Sequence, residues 1–452
     1  MKIVIVGDGK VGFTLTQQLS KEGHNVVVID SSNQALENSV NVLDVIGIHG
    51  NGASYAVQME ADVPHCDLLI AATSTDELNL LCCVLARKLG ARHTIARVRN
   101  PEYSQQLLFM KEELGLSMYV NPELAAANEA ARTLSFPSAL KVETFAKGRV
   151  DLVEIKLRPG SVLNGLPLHA LYSKYRVHIL VCAVQRDNRV YIPTGDFILK
   201  EGDKINITAS PREILFFFRA IGILTEKVRN VMIVGGGKIA YYLARSLTES
   251  GMRVKIIEID KERCQQLCQR LPGVMIIHGD GTDEELLREE GIEATDAFVA
   301  LTDFDEENII ISMYAGTKQV PKVITKINKL SFLDILGNSG IESVISPKHI
   351  TSNQIVQYVR AMENSFGSSN VETLHRIVNN QVEALEFRVR EKSRIVGVPL
   401  KDLQLKKDLL IACIVRNSQP IIPGGSSTIE VGDGVIVVTT NPHFQDLCDI
   451  LK

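Results

Sequence analysis

The chain has 452 residues, of which 45% are hydrophobic and 23% are charged, and its formal net charge is −4. This composition is typical of a globular protein with about two to four domains. The near-neutral charge provides no extensive basic surface, so we expect no nucleic-acid partner. The 8 cysteines show neither CxxC pairs nor His/Cys ligand spacing, which argues against a zinc site and a disulfide framework.

Two segments bear on targeting. The N-terminal segment lacks a signal-peptide pattern, because glycine and charge interrupt its apolar run. The most apolar segment, ILFFFRAIGIL from Ile214, contains an arginine and is much shorter than the roughly 20 residues that span a bilayer. The sequence therefore predicts a cytoplasmic protein.

Predicted strands and helices alternate in the front part of each half of the chain. The first half contains the β-branched runs KIVIV, NVVVI, VLDVIGI, DLLIAA and HTIARV, and the second contains NVMIV, RVKIIEI, VMIIH, DAFVAL and KVITKI. Helical patterns separate these runs, which indicates parallel sheets with crossover helices. The segment NPELAAANEAARTLSF predicts a helix that leads from the front part of the first half into its rear part.

The rear parts, residues 140–225 and 370–452, have a different pattern. Alternating segments such as VDLVEIKLR and DKINITA, with Gly-Asp turns, predict small β-rich domains. Each rear part ends in an apolar helical pattern, ILFFFRAIGIL in the first half and HFQDLCDILK in the second. We expect these segments to pack inside the rear domains or between copies, and direct docking on a partner is the alternative.

The two halves of the chain repeat one another. Gly7 matches Gly235 at a separation of 228 residues, and later strings match at separations of 229 to 232. The matched strings are IHGNGA with IHGDGT, ATSTDELN with LTDFDEEN, GLPL with GVPL, and IPTGDFILKEGD with IPGGSSTIEVGD. Because their order and spacing hold over nearly the whole length, the chain is an internal duplication. We expect its halves to pair as the subunits of a dimer do.

The first strand is followed by a glycine-rich loop with the pattern of a dinucleotide site. Gly7 suits a tight turn, Gly9 suits close approach to a pyrophosphate, and Gly12 suits close packing of helix and sheet. Asp30 ends the second strand, where an acidic side chain accepts hydrogen bonds from ribose hydroxyls and repels a 2′-phosphate. The pattern predicts a site for NAD or an adenosine nucleotide, and a sheet that has lost its ligand is the alternative.

The second half carries a slightly altered version of this loop. Gly235 and Gly237 match the first two glycines, Ala240 takes the third position, and Glu258 occupies the position of the acid. Alanine is within the tolerance of the motif, so this site is also predicted to bind a nucleotide. Lys238, like Lys10 in the first half, either contacts phosphate or is an exposed lysine on a turn.

Further polar residues follow the fourth and fifth strands. Because ligands on open parallel sheets bind at the carboxyl ends of strands, we expect Thr73 and Ser74 to face the nucleotide. Ser74 and Glu77 also have capping-box spacing, which the second half repeats. Arg97 and its counterpart Lys326 are both basic, and we interpret them as ligand contacts, with a salt bridge at the edge of the core as the alternative.

The sequence offers no reaction that would use the nucleotide. We find no matched histidine with a carboxylate partner, no GxSxG string and no Walker A string. A dehydrogenase needs an acid or base beside the nicotinamide and a sizeable substrate domain. The sequence therefore favours a nucleotide-binding protein without catalytic residues, and an NAD-dependent oxidoreductase is the alternative.

These features together resemble the TrkA family of regulatory subunits of Trk-type potassium uptake systems. The strings MKIVIVGDGKVG, HGNGA, ATSTDELN, IARVR, GLPL and IPTGDFILKEGD carry the resemblance, which covers essentially the whole chain. It implies tandem Rossmann-like α/β domains, called RCK_N, each followed by a small α+β domain, called RCK_C. The expected boundaries are 1–135 and 227–365 for RCK_N, and 136–226 and 366–452 for RCK_C.

The resemblance also implies a ligand, a partner and a set of binding residues. Family members bind NAD(H) and, in some cases, ATP or ADP. They form a homo-oligomeric ring, from dimer to tetramer, beneath a TrkH- or TrkG-type membrane subunit at the inner face of the cell membrane. A nucleotide sensor of a different cation transporter is a further alternative. The implied binding residues are Gly7, Asp8, Gly9, Lys10, Val11, Asp30, Thr73, Ser74 and Arg97, and in the second half Gly235, Gly236, Gly237, Lys238, Ile239, Glu258, Thr302 and Lys326.

Overall fold

The computed structural model describes residues 1–452 except 188, 224–226, 330–340, 342, 367–370, 379–380, 391–392, 442–443 and 445. The first front lobe contains β1 (Lys2–Val6), α1 (Lys10–Lys21), β2 (Asn25–Asp30), α2 (Asn33–Val40), β3 (Ile46–His49), α3 (Tyr55–Glu60), β4 (Leu68–Ala71), α4 (Asp76–Leu89), β5 (His93–Arg97), α5 (Pro101–Met110), β6 (Met118–Val120) and α6 (Pro122–Ser135).

The second front lobe repeats this arrangement. It contains β12 (Asn230–Val234), α9 (Lys238–Glu249), β13 (Arg253–Glu258), α10 (Lys261–Arg270), β14 (Met275–His278), α11 (Glu284–Glu289), β15 (Ala297–Ala300), α12 (Asp305–Thr317), β16 (Lys322–Lys326), β17 (Ser343–Ile345) and α13 (Pro347–Phe366). Strands β7–β11 and helices α7 and α8 belong to the first rear lobe, which lies between the two front lobes in the sequence.

Both front sheets have the strand order of a dinucleotide-binding fold. The first runs β3-β2-β1-β4-β5-β6 and the second β14-β13-β12-β15-β16-β17, and all neighbouring strands are parallel. The order reverses beside β1 and β12, so a crevice opens where the glycine-rich loops lie. This confirms the predicted tandem Rossmann-like architecture. Each sheet has one more strand than we predicted, because β6 and β17 are too short to give a sequence pattern.

The rear lobes are antiparallel sheets with few helices. The first contains β7 (Lys141–Phe145), β8 (Val150–Lys156), α7 (Ala170–Tyr175), β9 (Leu180–Arg186), β10 (Arg189–Tyr191), β11 (Lys204–Ala209) and α8 (Pro211–Ala220), and the second contains β18 (Val371–Ile377), β19 (Val382–Arg388), β20 (Leu409–Arg416), β21 (Gln419–Ile421) and β22 (Gly434–Thr439). Their strand orders, β10-β9-β11-β8-β7 and β21-β20-β22-β19-β18, are the same arrangement.

The two rear lobes end differently, which corrects one prediction. In the first, α8 buries Ile214, Phe217 and Phe218, as its apolar pattern predicts. In the second, the matching segment forms only a four-residue 3-10 helix, Leu447–Ile450, although its first residues lie partly outside the described residues. The aspartates 446 and 449 form a capping box there, and this tight local hydrogen bonding fixes a single short turn.

The chain divides into two compact units, each of which combines equivalent lobes from both halves. The front unit comprises Met1–Ala131 and Arg229–Val356, and the rear unit comprises Arg132–Val228 and Gln357–Lys452. The halves therefore pair lobe by lobe, as the repeat predicts. Among the described residues, none of the helices has both the length and the apolar character needed to cross a bilayer.

The rear unit has a shared core and a polar pair that joins its lobes. Phe145 and Leu152 of the first lobe lie in one buried cluster with Ile377 and Ala384 of the second. Beside this cluster, His375 Nδ1 lies 3.1 Å from Oε2 of Glu143. Its Nε2 lies 3.1 Å from the carbonyl oxygen of Thr144.

The pair belongs to a polar cluster between the lobes. Both ring nitrogens of His375 lie within hydrogen-bond distance of an oxygen atom of the first lobe. The other carboxylate oxygen of Glu143 lies 2.7 Å from Nζ of Lys141. Burial by itself raises the pKa of Glu143, but the charges of Lys141 and His375 outweigh it and hold that pKa well below its usual range. The pair is therefore a buried ionic contact between the rear lobes.

We predict that Glu143→Gln destabilises the protein at neutral pH by about 2 kcal/mol, because Lys141 and His375 lose their carboxylate partner. The lowered pKa makes this contribution complete above the usual glutamate value of 4.5 and progressively lost below it. Urea unfolding of both proteins at pH 7 and pH 3.5 measures the difference, with Glu201→Gln, at an exposed position, as the control. An equal difference between the two proteins at both pH values would contradict the ionic contact.

Candidate functional site

The glycine-rich loops pass unusually close to the neighbouring strand. Gly7 and Gly235 both have φ +96°, a left-handed conformation that favours glycine. A Cβ at Gly7 would lie 2.9 Å from the carbonyl carbon of Ala72, and one at Gly235 would lie 2.8 Å from that of Leu301. Glycine is therefore required at each position for two reasons: the backbone has a positive φ, and there is no room for a Cβ atom.

The third position of the motif differs between the lobes. A Cβ at Gly12 would lie 1.8 Å from the carbonyl oxygen of Gly7, so any larger residue there forces the backbone apart. The second lobe accommodates Ala240 at this position, fully buried in α9. The first loop is thus packed more tightly against its helix than the second.

Both loops leave a helix N-terminus open to an anion. The N-cap residues of α1 and α9 are Gly9 and Gly237, and neither cap has a side-chain hydrogen bond. The first-turn N–H groups of a helix have no partner inside the helix, and they carry the positive end of its dipole. Lys10 and Lys238, both exposed, begin these helices. This is the arrangement that receives a phosphate group. Val11 and Ile239 are buried, so only their backbone N–H groups can take part.

The acids at the ends of β2 and β13 hold the glycine-rich loops. Asp30 Oδ2 accepts a hydrogen bond from the backbone N–H of Asp8 at 2.6 Å, and Oδ1 accepts one from Ser32 at 2.7 Å. Glu258 Oε2 likewise accepts from the N–H of Gly236 at 2.6 Å. Each oxygen of Asp30 keeps a further lone pair, which is what a ribose hydroxyl would use. In the second lobe Oε2 of Glu258 also faces the guanidinium of Arg263 at 3.5 Å, and its Oε1 accepts a hydrogen bond from the N–H of Asp260.

Asp8 adds a buried carboxyl to the first loop, where the second has Gly236. It is 5% exposed. Its Oδ2 accepts a hydrogen bond from Ser39 at 2.5 Å, whereas its Oδ1 has no hydrogen-bond partner among the described residues. Burial raises the pKa of Asp8 to about 6, against the Ser39 hydrogen bond and with a further contribution from Asp30.

Two buried asparagines that were not predicted as site residues fix the loops after β4 and β15. Asn79 Oδ1 accepts hydrogen bonds from the N–H and the hydroxyl of Thr73, both at 2.7 Å, and its Nδ2 donates to the carbonyl oxygen of Arg97. Asn308 Oδ1 likewise accepts a hydrogen bond from the N–H of Thr302, and its Nδ2 donates to the carbonyl oxygens of Thr302 and Lys326. The repeated Asn in ATSTDELN and LTDFDEEN was the available signal.

The predicted capping boxes are wrong. The helices begin one residue later than expected, with Thr75 and Phe304 as N-caps and no side-chain cap hydrogen bond at either. Ser74, which was to serve as the cap, is instead exposed, and its carbonyl oxygen accepts a hydrogen bond from Arg99.

The physical reason is the role of the aspartate that begins each helix. Asp76 and Asp305 are buried and accept hydrogen bonds from backbone N–H groups of the loops after β5 and β16. These carboxylates join two loops instead of capping their own helices.

The two basic residues of the fifth strands are largely buried. Burial lowers the pKa of Arg97, opposed by Glu123, whose Oε1 lies 3.7 Å from its guanidinium. Burial also lowers the pKa of Lys326, opposed by Asp303, whose Oδ1 lies 3.5 Å from its Nζ. Both cations therefore have a carboxylate neighbour, as the salt-bridge alternative required, and both also lie at the carboxyl ends of the sheets.

A cavity of about 450 Å³ lies over the second glycine-rich loop. Its walls include the loop residues 236–239, Lys326 and Asp303, so it lies where a nucleotide is expected. Arg263 on α10 also lines it, and its guanidinium lies 3.5 Å from Oε2 of Glu258.

The first lobe completes this cavity. Arg99 and Glu123 form part of its wall. Nearby, Nδ2 of Asn121 lies 2.9 Å from the hydroxyl of Tyr242, which donates to the carbonyl oxygen of Arg99 at 3.2 Å. The sequence did not predict these residues, because contacts between the lobes leave no periodic signal.

We predict that Asp8→Asn stabilises the protein near pH 8 by about 1 kcal/mol, since the folded state no longer holds a buried carboxylate beside Asp30. Because the pKa of Asp8 is raised from 3.8 to about 6, the gain is largest above pH 6 and absent below pH 3.8. Thermal unfolding across this range measures it, with the exposed Asp44→Asn as the control. Equal thermal unfolding midpoints for Asp8→Asn and the wild type at pH 8 would contradict this prediction.

Solved structures similar to this chain share its fold. The crystal structure of the GsuK RCK domain aligns with a TM-score of 0.64 at 17% identity, covering 97% of this chain and 92% of that one. The GsuK channel bound to NAD aligns with a TM-score of 0.63 at 17% identity, covering 97% and 77%. The described front and rear lobes therefore have the architecture of RCK domains.

Sequence relatives extend over the whole chain. The Trk system potassium uptake protein TrkA homolog of Archaeoglobus fulgidus is 36% identical over 100% of both chains. The TrkA proteins of Halomonas elongata and Haemophilus influenzae are 35% and 30% identical, each over 97% of this chain and 95% of the relative.

The family models match both halves. The TrkA-N domain matches residues 3–122 and 231–347, and the TrkA-C domain matches residues 152–222 and 384–452. The family consists of potassium uptake proteins and not of enzymes, so the oxidoreductase alternative is wrong. The chain belongs to the TrkA family of Trk system potassium uptake proteins.

Proposed function

We propose that this protein is the nucleotide-sensing regulatory subunit of a Trk-type potassium uptake system. The observation that carries the proposal is the cavity over the second glycine-rich loop, which combines an uncapped helix N-terminus, Lys238 and Lys326. This combination suits the phosphate groups of a nucleotide. The first loop repeats the same backbone geometry around Gly7 and Gly9.

The proposed ligands are NAD(H) and the adenine nucleotides ATP and ADP. The structures of GsuK bound to NAD and bound to ADP support this choice for the fold. In the proposal, the backbone N–H groups of the loops hold the phosphates and the acids at the ends of β2 and β13 accept the ribose hydroxyls. For the four domains we propose the boundaries expected from the sequence, 1–135, 136–226, 227–365 and 366–452.

The proposed partner is a TrkH- or TrkG-type membrane subunit, which the protein meets at the inner face of the cell membrane as a homo-oligomer. The cavity over the second glycine-rich loop is lined by residues of both front lobes, so a nucleotide bound there contacts both lobes. A ligand that binds one arrangement of these lobes more tightly shifts the population toward it, by no more than its difference in affinity. That shift is the proposed signal to the membrane subunit.

Calorimetric titration with NAD, NADH, ATP and ADP tests nucleotide binding. We expect the wild type to bind, and we expect Asp30→Ala and Glu258→Ala each to remove one class of site, since each substitution removes a loop-holding acid. Lys88→Ala, at an exposed position on α4, is the control. Absence of binding by the wild type would show that the glycine-rich loops only support the fold.

Potassium flux into vesicles tests the regulatory role. The membrane subunit is reconstituted alone, with this protein, and with this protein plus nucleotide. We expect the flux to change on addition of the protein and to depend on the nucleotide, and we expect Asp30→Ala with Glu258→Ala to abolish that dependence. Nucleotide binding without any change in flux would support the binding site and refute the regulatory role.

A further inference from the structure

The helix that follows the second strand of each front lobe differs in charge between the two copies. α2 has the sequence NQALENSV, without a basic residue, and α10 has the sequence KERCQQLCQR, with three. The caps align the two helices. The side chain of Ser32 accepts a hydrogen bond from the N–H of Ala35, and that of Asp260 accepts one from the N–H of Arg263. Ala35 and Arg263 therefore occupy equivalent positions.

One face of α10 lines the cavity over the second glycine-rich loop. Arg263, Gln266 and Arg270 lie on this face, at i, i+3 and i+7, and all three belong to the cavity wall. β13, the strand that leads into α10, ends with Glu258. In a dinucleotide-binding sheet, the acid at this strand end marks the place of the adenosine ribose. The two arginines therefore lie on the ribose side of the cavity.

Glu258 itself does not present a free carboxylate to this cavity. The residue is 3% exposed. Its Oε2 accepts a hydrogen bond from the N–H of Gly236 at 2.6 Å and faces the guanidinium of Arg263 at 3.5 Å. Its Oε1 accepts a hydrogen bond from the N–H of Asp260 at 2.8 Å. The carboxylate thus holds the glycine-rich loop, the start of α10 and Arg263, and its charge is compensated by the arginine.

Arg263 is the side chain that the second lobe presents at the ribose position. It is 46% exposed, and the 3.5 Å contact with Glu258 involves one of its nitrogens. A guanidinium carries five N–H donors in a planar fork, so the other donors of Arg263 can bind two oxygen atoms of a phosphate group. Arg270 of the same face already meets a carboxylate, since its guanidinium lies 3.1 Å from Oε1 of Glu102. Arg263 is therefore the arginine of this face that is placed to receive an anion.

The ribose position of the first site has the opposite character. Asp30 is joined to backbone N–H groups alone in the hydrogen bonds described above, and both of its oxygens keep a lone pair. Ala35 stands where the second lobe has Arg263, and α2 provides no other cation. A carboxylate without a neighbouring cation accepts ribose hydroxyls and repels a phosphate on the ribose, whereas an arginine at this place accommodates that phosphate.

The charge of the whole second cavity agrees with an additional phosphate group. Five basic and two acidic side chains line it, so its net charge is +3. The pyrophosphate of an unsubstituted dinucleotide offers less negative charge than this, and a phosphate monoester adds about −1.5 to −2. A ligand with a further phosphate on the ribose side matches both the amount and the position of the positive charge.

We propose that the second nucleotide site selects a dinucleotide whose adenosine ribose carries a 2′-phosphate, NADP or NADPH, with Arg263 as the residue that determines this specificity. The inference rests on the nucleotide-binding function proposed above and refines the role of Glu258 in it. In the second site Glu258 positions Arg263, and Arg263 binds the 2′-phosphate. The first site, with Asp30 and Ala35, retains the preference for an unsubstituted ribose.

Calorimetric titration with matched pairs of ligands tests the proposal. The pairs are NADP with NAD, NADPH with NADH, and adenosine 2′,5′-bisphosphate with 5′-AMP, and the members of each pair differ only in the 2′-phosphate. In the full-length protein we expect one class of site to bind the 2′-phosphorylated member of each pair at least about tenfold more tightly than the other member. Asp30→Ala, which impairs the first site, is expected to retain this class.

Substitution of Arg263 tests its role directly. Arg263→Ala is expected to lower the NADP affinity of the second site at least about tenfold more than its NAD affinity, because the 2′-phosphate loses its partner. Arg263→Lys is expected to give an intermediate ratio, since lysine keeps the charge without the planar fork. Arg288→Ala, at an exposed position on α11, is the control for loss of one positive charge from the second lobe. Thermal unfolding verifies that each variant is folded.

The reverse substitution uses the equivalent position of the first lobe. Ala35→Arg, measured together with Glu258→Ala so that the first site is observed alone, is expected to raise the NADP affinity relative to the NAD affinity. Ala35→Gln has a similar helix preference without the charge, and we expect it to leave that ratio unchanged.

The outcomes separate this inference from the proposed function. If the wild type binds no nucleotide, the proposed function fails and the inference fails with it. If the wild type binds NAD at least as tightly as NADP at every site, or if Arg263→Ala lowers both affinities equally, the 2′-phosphate specificity is refuted and nucleotide binding stands.

Discussion

The close approach of the glycine-rich loop to the neighbouring strand is the constraint on which both sites depend. At Gly7 and Gly235 the chain turns with positive φ, and a Cβ at these positions would lie 2.9 Å and 2.8 Å from the backbone that follows β4 and β15. That contact places the N-terminus of a helix beside the carboxyl ends of the fourth and fifth strands. Without it, neither the N–H groups nor Lys326 would face the same crevice. The strand order of the sheet therefore determines where the site lies, and the side chains determine its charge and hydrogen bonding.

Buried polar side chains hold this crevice in shape before any ligand arrives. Asn79 and Asp76 bind the backbone of the loops after the fourth and fifth strands, and Asn308 and Asp305 repeat those bonds in the second lobe. A buried polar group without a partner is costly, so such bonds fix the loop positions. Binding of a nucleotide to a crevice fixed in this way requires little ordering of the chain, which favours affinity.

The fusion of two copies in one chain allows equivalent positions to differ. In a symmetric dimer a residue near the axis meets its own copy, so opposite charges cannot face each other there. Here Glu143 and His375 occupy related strands of the rear lobes and form an ionic contact. In the front unit Asp8 stands where the second copy has glycine. The two copies therefore share one backbone fold, whereas side chains at equivalent positions differ.

The sequence by itself determined the duplication, the tandem Rossmann-like lobes and the glycine-rich loops, because these leave strings and periodic patterns of local origin. It did not determine the short strands β6 and β17, the start of α4, or the buried roles of Asn79 and Asp76. Only the tertiary structure brought Arg99 and Glu123 into the wall of the other lobe's cavity. Contacts between residues more than a hundred positions apart depend on how the lobes pack, and packing leaves no spacing in the sequence that a local pattern could detect.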